Sequence, residues 1–150
     1  MGRGAAGVRG MRMEPGQDVI ALLILGEGDI LTATENGYGK RTPLDDYPRR
    51  GRGTMGVISI RTGDRNGDVI GATQVVEGDE VMLITRGGTL VRTPASEISV
   101  LSRNTQGVKL ISLDTDETLM GLARVEALED EDGADDADDP HDDAPGDDET

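Results

Sequence analysis

The chain has 150 residues, enough for one ordinary domain, and it contains no Phe, no Trp and only two Tyr, so we expect an aliphatic core. It has no Cys, which excludes disulfides and cysteine metal sites, and the lack of an apolar leader or spanning segment predicts a cytoplasmic protein. The formal net charge of −15 disfavours contact with nucleic acid only if it is spread over the whole chain.

The negative charge is concentrated at one end. Every Lys and Arg lies at or before Arg124, whereas 14 of the 30 acidic residues lie between Glu126 and Thr150. Residues 1–125 hold 16 acids (30 minus 14) against 15 bases and are nearly neutral. We therefore expect a folded region at residues 1–126 and an acidic tail at residues 127–150 that self-repulsion and backbone entropy keep disordered.

The folded region is expected to consist of short strands. Its apolar residues alternate or form short β-branched runs bounded by Gly, Asn, Asp and Pro, and no stretch has a helical period. In chain order, strands are predicted near 19–25, 30–34, 56–61, 68–76, 81–86, 89–93, 107–112 and 118–125. Turns are predicted at Glu35–Gly37, Arg65–Gly67 and Arg86–Gly88, because Asn and Gly accept the positive φ that tight hairpins need.

The strands belong to a repeat of about fifty residues. The stretch "DILTATENGYGKRTPLDDYP" from Asp29 matches "EVMLITRGGTLVRTPASEIS" from Glu80 at an offset of 51 (80 minus 29). Further on, Gly56 matches Gly107, and Gly7 in "RGAAGVRG" marks a third copy. Four short strands per repeat are typical of a propeller blade. The fold class is therefore predicted as all-β, with about two and a half to three four-stranded antiparallel blades, too few for a closed ring.

Several strings identify a family. In this order, "ATENGYGKRT", "RNGDVIGA", "LITRGGTLVRT" and "RNTQGVKLI" resemble the last blades of the C-terminal β-pinwheel in the A protein of bacterial DNA gyrase, over roughly residues 1–126. The resemblance implies a non-catalytic part of an ATP-dependent type II topoisomerase, which wraps DNA on a basic rim for negative supercoiling.

The resemblance also implies partners. These are double-stranded DNA, contacted through its phosphates without sequence specificity, the remainder of the gyrase A protein, and the gyrase B protein. ATP and Mg²⁺ would be used by other parts of the enzyme, with no cofactor in this chain. A location in the bacterial cytoplasm near the nucleoid, away from membranes, follows from the same likeness.

Two family features have no match here. The gyrase box, a basic loop of the first blade that is required for wrapping, is absent, and "RRGRGTMG" from Arg49 is the equivalent loop of a later blade. Neither Tyr38 nor Tyr47 follows an Arg, as the family's cleavage tyrosine does. We therefore expect no catalytic residue and no strand cleavage in this chain, and no metal site, since the single His141 lies in the tail.

Wrapping DNA on a protein requires cations along a surface. Bending DNA costs free energy, and the counterions released as each phosphate is neutralised offset this cost. Basic residues cluster between Lys40 and Arg65, and their loop recurs at Arg3 and at Arg103. The predicted DNA-binding residues are Arg3, Lys40, Arg41, Arg49, Arg50, Arg52, Arg61, Arg65, Arg92 and Arg103. A recurring Arg can equally hold a blade turn in place, and this alternative is strongest for Arg41 and Arg92 in the repeated Arg-Thr-Pro.

Two other functions remain open. The C-terminal region of the topoisomerase IV A protein shares the blade type without strong wrapping. A propeller-type protein-interaction module, recruiting partners through the acidic tail, would have no salt-dependent affinity for DNA.

The tail is expected to compete with DNA for the basic rim, because a tethered polyanion has a high effective concentration there. Deletion of residues 127–150 should therefore tighten DNA binding, measured by fluorescence anisotropy at low salt. An unchanged affinity at low salt would contradict the competition.

Overall fold

The structure is a computed structural model that describes residues 2–126, so the predicted acidic tail lies outside the described residues. Its strands are β1 (Asp29–Thr34), β2 (Tyr38–Thr42), β3 (Val69–Val75), β4 (Glu80–Thr85), β5 (Leu90–Pro94), β6 (Val108–Lys109) and β7 (Leu119–Val125). Two three-residue 3₁₀ turns, Leu44–Asp46 and Ala95–Glu97, follow β2 and β5. The all-β prediction is confirmed.

The strands form two antiparallel sheets with related topology. The first has the order β3-β1-β2-β6, and the second has the order β5-β4-β7. β4, β5 and β7 stand in the second sheet where β1, β2 and β3 stand in the first, as the repeat predicts. The fourth strand of the first sheet, β6, comes from the following repeat and places Val108 opposite Gly39 and Lys109 opposite Tyr38. Successive blades are therefore interlocked through an exchanged strand.

The core is aliphatic, as predicted. Leu31 and Val75 from the first sheet pack in one buried cluster with Val81, Leu83 and Leu119 from the second. Each such side chain contributes about 1.5–3 kcal/mol on full burial. Because both sheets share this cluster, the two blades are expected to unfold together.

Most of the predicted strands are present. Five predicted ranges coincide with strands to within one residue at either end, namely 30–34, 68–76, 81–86, 89–93 and 118–125. The range 107–112 contains only the two-residue β6. Sequence reasoning missed β2, because Gly39, Lys40 and Arg41 at its centre lack the apolar alternation that marks a strand.

The predicted turns are confirmed at their glycines. Gly37, Gly67 and Gly88 have φ angles of 85°, 74° and 90°, a region that side chains other than Gly rarely enter. Each of the three therefore connects two segments at a point where the chain reverses.

The predicted strand near 19–25 is wrong, since the range contains no strand. In its counterpart β3, Gln74 pairs with Ile30, 44 residues earlier (74 minus 30). Ile24 stands fifty residues before Gln74, and within residues 2–126 no strand pairs with it. Without a partner strand the range is solvated, and Leu22 is 90% exposed.

The predicted strand near 56–61 is also wrong, for the same physical reason. Its counterpart β6 places Val108 opposite Gly39, 69 residues earlier (108 minus 39). Val57 stands in the position of Val108, and within residues 2–126 no strand pairs with it. An apolar pattern thus predicts that a segment can be a strand, whereas pairing decides whether it becomes one.

Gly28 precedes β1 at a place where no side chain fits. Its φ is 116°, and a Cβ there would overlap the carbonyl oxygen of Val75. We expect Gly28→Ala to lower the free energy of unfolding by at least about 2 kcal/mol, measured by urea titration with far-UV circular dichroism. The control is Gly10→Ala, because a Cβ at Gly10 meets no atom within 4 Å, and its effect should stay within about 0.5 kcal/mol. Equal losses from the two variants would contradict the steric explanation.

Candidate nucleic-acid interface

The ten predicted DNA-binding cations divide into two groups by their surroundings. Six are exposed and form no salt bridge within residues 2–126, namely Arg3, Arg49, Arg50, Arg52, Arg61 and Arg65. The ones whose side chains donate to carbonyl or carboxylate oxygens are Lys40, Arg41, Arg92 and Arg103, of which Arg92 is also exposed. Only the first group presents its charge freely to a phosphate.

Lys40 is fully buried, with 0% of its surface exposed. Its Nζ donates to the main-chain oxygens of Ser102 and Arg103 at 2.5 Å each and to Oγ1 of Thr105 at 3.0 Å. Burial, helped by the nearby charge of Arg103, lowers the pKa of Lys40 to about 8. All three donors of the ammonium find acceptors in one loop of the next repeat. Lys40 thus holds that loop against β2.

Arg41 is 5% exposed and also reaches the next repeat. Its Nε donates to the main-chain oxygen of Ile98 at 2.8 Å, and its Nη1 lies 3.7 Å from the carboxylate of Asp29 on β1. The counterpart Arg92 forms a salt bridge with Glu80, the counterpart of Asp29. The Arg of the repeated Arg-Thr-Pro therefore pairs with an acid on the neighbouring strand in both sheets.

Arg103 is half-buried and crosses back to the preceding repeat. Its Nε donates to the main-chain oxygen of Asp46 at 2.6 Å, and its Nη1 donates to that of Ile58 at 2.8 Å. This geometry matches the alternative in which a recurring Arg holds a blade turn. We call Lys40, Arg41 and Arg103 the linking cations, because each side chain joins two repeats.

Two exposed loops lie side by side, and we call them the paired arginine loops (residues 9–12 and 49–54). The main-chain N–H of Arg12 donates to the oxygen of Thr54 at 2.9 Å, and that of Gly53 donates to Gly10 at 2.9 Å. The loops carry Arg9, Arg12, Arg49, Arg50 and Arg52. Within residues 2–126, none of these five forms a salt bridge. Like charges held together without counter-charges attract a polyanion.

A second group at the surface, the Tyr38 patch, consists of Tyr38, Arg65 and Lys109. The guanidinium carbon of Arg65 lies 5.0 Å from the centre of the Tyr38 ring, and Lys109 stands opposite Tyr38 across the β2–β6 pair. A hydrogen bond from Arg65, together with the charges of Arg65 and Lys109, lowers the pKa of Tyr38 against a smaller opposing effect of burial. Two cations beside a hydroxyl can bind one phosphate.

Sequence reasoning missed Arg9, Arg12 and Lys109. The repeat contained a signal for two of them, because Arg9 and Lys109 each stand two residues after the recurring Gly of the repeat, Gly7 and Gly107. Arg12 had no such signal. It joins the group only because residues 9–12 lie beside residues 49–54 in space.

Other kinds of site have little support in the part of the chain that the structure describes. There, no group of three His, Cys, Asp or Glu side chains is arranged to hold a metal ion. The two short 3₁₀ turns are far from the length and apolarity that a bilayer-crossing helix requires.

Arg3 lies in an exposed turn that precedes the first of the paired arginine loops.

Comparison with known proteins gives consistent results. A family model described as DNA gyrase C-terminal domain, beta-propeller, matches residues 1–25, 28–75 and 79–126. The DNA gyrase A protein of Pseudomonas aeruginosa is 59% identical over 127 residues, which cover 84% of this chain and 14% of that protein. The DNA gyrase A protein of Escherichia coli is 54% identical over 134 residues, covering 88% of this chain and 15% of that protein. The chain thus spans only a small part of the length of these relatives.

Solved structures show the same fold. A DNA gyrase A C-terminal domain superposes with a TM-score of 0.61 and 29% identity, covering 64% of this chain and 33% of that one. The C-terminal domain of a DNA topoisomerase IV superposes with a TM-score of 0.72 and 22% identity, covering 81% and 38%. At that identity the second likeness concerns the fold alone.

The surroundings of Lys40 lead to a stability prediction. Lys40→Met keeps the length of the side chain but leaves the loop oxygens of residues 102–105 without their donor, and we expect a loss of about 1–3 kcal/mol in unfolding free energy. The measurement is urea unfolding at pH 7, with the exposed Arg50→Met as control, expected within about 0.5 kcal/mol.

The pH dependence of the unfolding free energy gives a second test of the role of Lys40. The folded chain releases the Lys40 proton near pH 8, whereas an unfolded lysine keeps it up to about 10.5. Between these values the unfolded state binds more protons, so the contribution of this group to stability rises with pH. The difference in unfolding free energy between wild type and Lys40→Met should therefore grow from pH 8 towards pH 10.5. A difference that stays constant or shrinks over this pH range would contradict the lowered pKa of Lys40.

Proposed function

The chain belongs to the family of DNA gyrase C-terminal β-propeller domains, and we propose that it binds the phosphate backbone of double-stranded DNA through its exposed arginines. In this proposal it is a non-catalytic, DNA-wrapping part of a gyrase A protein. The observation that carries the proposal is the pair of arginine loops, whose charges have no acidic partner within residues 2–126.

The chemistry of the site favours phosphates over bases. Specific readout in the major groove needs a helix or a two-stranded ribbon that enters it. Here the free cations lie on irregular loops and on the short strand β6. Guanidinium groups on such loops can pair with phosphate oxygens, which fixes the position of a duplex without reading its sequence.

The repeat suits the bending of DNA. Smooth bending of a short duplex costs on the order of 1–6 kcal/mol, which several separated contacts offset better than a single strong one. Exposed cations recur in each repeat, on the two paired arginine loops and at Lys109 on β6. A row of such loops would lead a duplex around the domain.

The linking cations have a different role in this proposal. Lys40, Arg41 and Arg103 position the loops, and Arg92 pairs with Glu80. The DNA contacts are assigned to Arg3, Arg61, the paired arginine loops and the Tyr38 patch. Of the ten predicted residues, six thus keep the predicted role and four become positioning residues.

The wider assignment also rests on family membership. We propose that strand cleavage and the use of ATP and Mg²⁺ belong to the remainder of the gyrase A protein and to the gyrase B protein, which are the protein partners of this domain. The division into a propeller region at residues 1–126 and an acidic tail at 127–150 is part of the proposal, as is a cytoplasmic location near the nucleoid. The topoisomerase IV alternative is less favoured, because the family model and the curated relatives that match this chain are described as DNA gyrase.

Salt dependence of DNA binding tests the proposal. For a duplex of random sequence, the logarithm of the association constant should fall linearly with the logarithm of salt concentration. The double variant Arg49→Ala/Arg50→Ala should weaken binding at low salt and reduce the slope by about 2, since each lost phosphate contact removes about 0.9. Fluorescence anisotropy over a range of salt concentrations measures both quantities.

The control is Arg86→Ala. Arg86 is also exposed and lies in the turn between β4 and β5, outside the residues assigned to DNA. Its removal should leave the slope within about half a unit of wild type. A double variant with an unchanged slope, or a control with an equal loss per arginine, would contradict the proposed interface.

A further inference from the structure

The second of the paired arginine loops lies within a longer irregular stretch, which we call the arginine segment (residues 48–57). These residues contain no helix or strand, and Arg49, Arg50 and Arg52 are exposed along them. Ordering an irregular segment at the moment of binding costs conformational entropy, and this cost weakens the observed affinity. An arginine segment whose shape is fixed before DNA arrives therefore binds DNA more tightly.

Both ends of the arginine segment are held by one side chain of the following repeat. Nε of Arg103 donates to the main-chain oxygen of Asp46 at 2.6 Å, and its Nη1 donates to that of Ile58 at 2.8 Å. These two oxygens flank the segment on either side and belong to residues 12 positions apart (58 minus 46). Because a guanidinium is planar and its donors point in fixed directions, it fixes one oxygen relative to the other.

A pair of hydroxyl groups closes the same base. Oη of Tyr47 and Oγ of Ser59 are hydrogen-bonded at 2.6 Å. Oγ of Ser59 also lies 3.4 Å from Oγ1 of Thr32 on β1, and Thr32 is 2% exposed. The base of the arginine segment is thus attached to the first sheet by a contact that does not involve Arg103.

The main chain around Arg103 is itself held in place. Nζ of Lys40 on β2 donates to the main-chain oxygens of Ser102 and Arg103 at 2.5 Å each. The N–H of Arg61, shortly after the arginine segment, donates to the oxygen of Thr105 at 2.8 Å. The guanidinium of Arg103 therefore reaches the base of the segment from a loop that hydrogen bonds fix on either side.

We propose that Arg103 and the Tyr47–Ser59 pair together close the base of the arginine segment, and that this closure preorganises its three arginines for DNA phosphates. The inference rests on the proposed function, which assigns DNA contacts to these arginines. Tyr47 and Ser59 join Arg103 as positioning residues. Arg103 acts through the segment and not through a phosphate of its own.

The DNA affinity of Arg103→Lys tests the proposal on the 150-residue chain. Lysine keeps the charge but carries one nitrogen in place of the planar guanidinium, so it does not hold both ends of the segment. Fluorescence anisotropy with a random-sequence duplex at low salt should give an association constant about tenfold lower. The salt slope should stay within about half a unit of wild type, because no phosphate contact is removed. The control, Arg86→Lys in the exposed turn between β4 and β5, should bind as wild type does.

A second background shows whether the loss passes through the arginine segment. In Arg49→Ala/Arg50→Ala, the further change Arg103→Lys should lower the association constant by no more than about twofold, because most of the contacts that it positions are already absent. An equal loss in both backgrounds overturns the proposal. Binding of Arg103→Lys as tight as that of wild type overturns it as well.

Tyr47→Phe tests the closure without any change of charge, and also where Arg103→Lys is too unstable to fold. It removes one hydroxyl and keeps the ring, and it should weaken binding about threefold at an unchanged salt slope. Hydrogen exchange without DNA gives the matching readout. The amide of Gly53, which lies in the arginine segment, should exchange faster in both variants, whereas the amides of β1 keep their wild-type rates. An unchanged rate at Gly53 in both variants overturns the proposal.

Failure of the positioning role differs from failure of the proposed function. A wild type without salt-dependent DNA binding overturns the DNA-binding proposal and the positioning role with it. A wild type that binds DNA, with Arg103→Lys and Tyr47→Phe binding equally well, overturns the positioning role alone.

Discussion

The structure depends on donors of one repeat reaching carbonyl groups of the next. Blades with no Phe and no Trp have little apolar surface with which to join their loops, and their irregular connections present main-chain oxygens such as those of Ser102 and Asp46. Long cationic side chains carry several donors each and can satisfy these oxygens at a distance. Lys40, Arg41 and Arg103 do so between the two repeats, while the exchanged strand β6 supplies the backbone pairing.

This use of cations separates two roles that look alike in the sequence. Arg52 and Arg103 occupy the same position of the repeat, yet Arg103 reaches the main-chain oxygens of Asp46 and Ile58, whereas Arg52 is exposed. Position in the repeat therefore does not by itself decide whether a recurring Arg holds a loop in place or is free to contact a phosphate.

Features with local causes could be predicted from the sequence, whereas features that depend on contacts between repeats could not. The turns at Gly37, Gly67 and Gly88 and the strands with apolar alternation were predictable, because their causes are local. β2 was not, since Lys40 and Arg41 enter a strand with their charges buried against another repeat. The range 56–61 has the pattern of a strand, yet within residues 2–126 no strand pairs with it. Likewise, the repeat predicts a basic loop at Arg49–Arg52. That this loop lies beside Arg9 and Arg12 depends on contacts that no local pattern encodes.

The exchanged strand also has a consequence for the order in which the protein folds. β2 and β6 pair across 69 residues (Val108 minus Gly39), and pairings so distant in sequence form slowly because a long loop must close first. During synthesis from the N-terminus, the first sheet remains a three-stranded sheet with an open edge until Val108 has left the ribosome. The last hydrogen bonds of the first blade are therefore among the late events of folding, and an unfinished chain exposes an edge that invites misassembly.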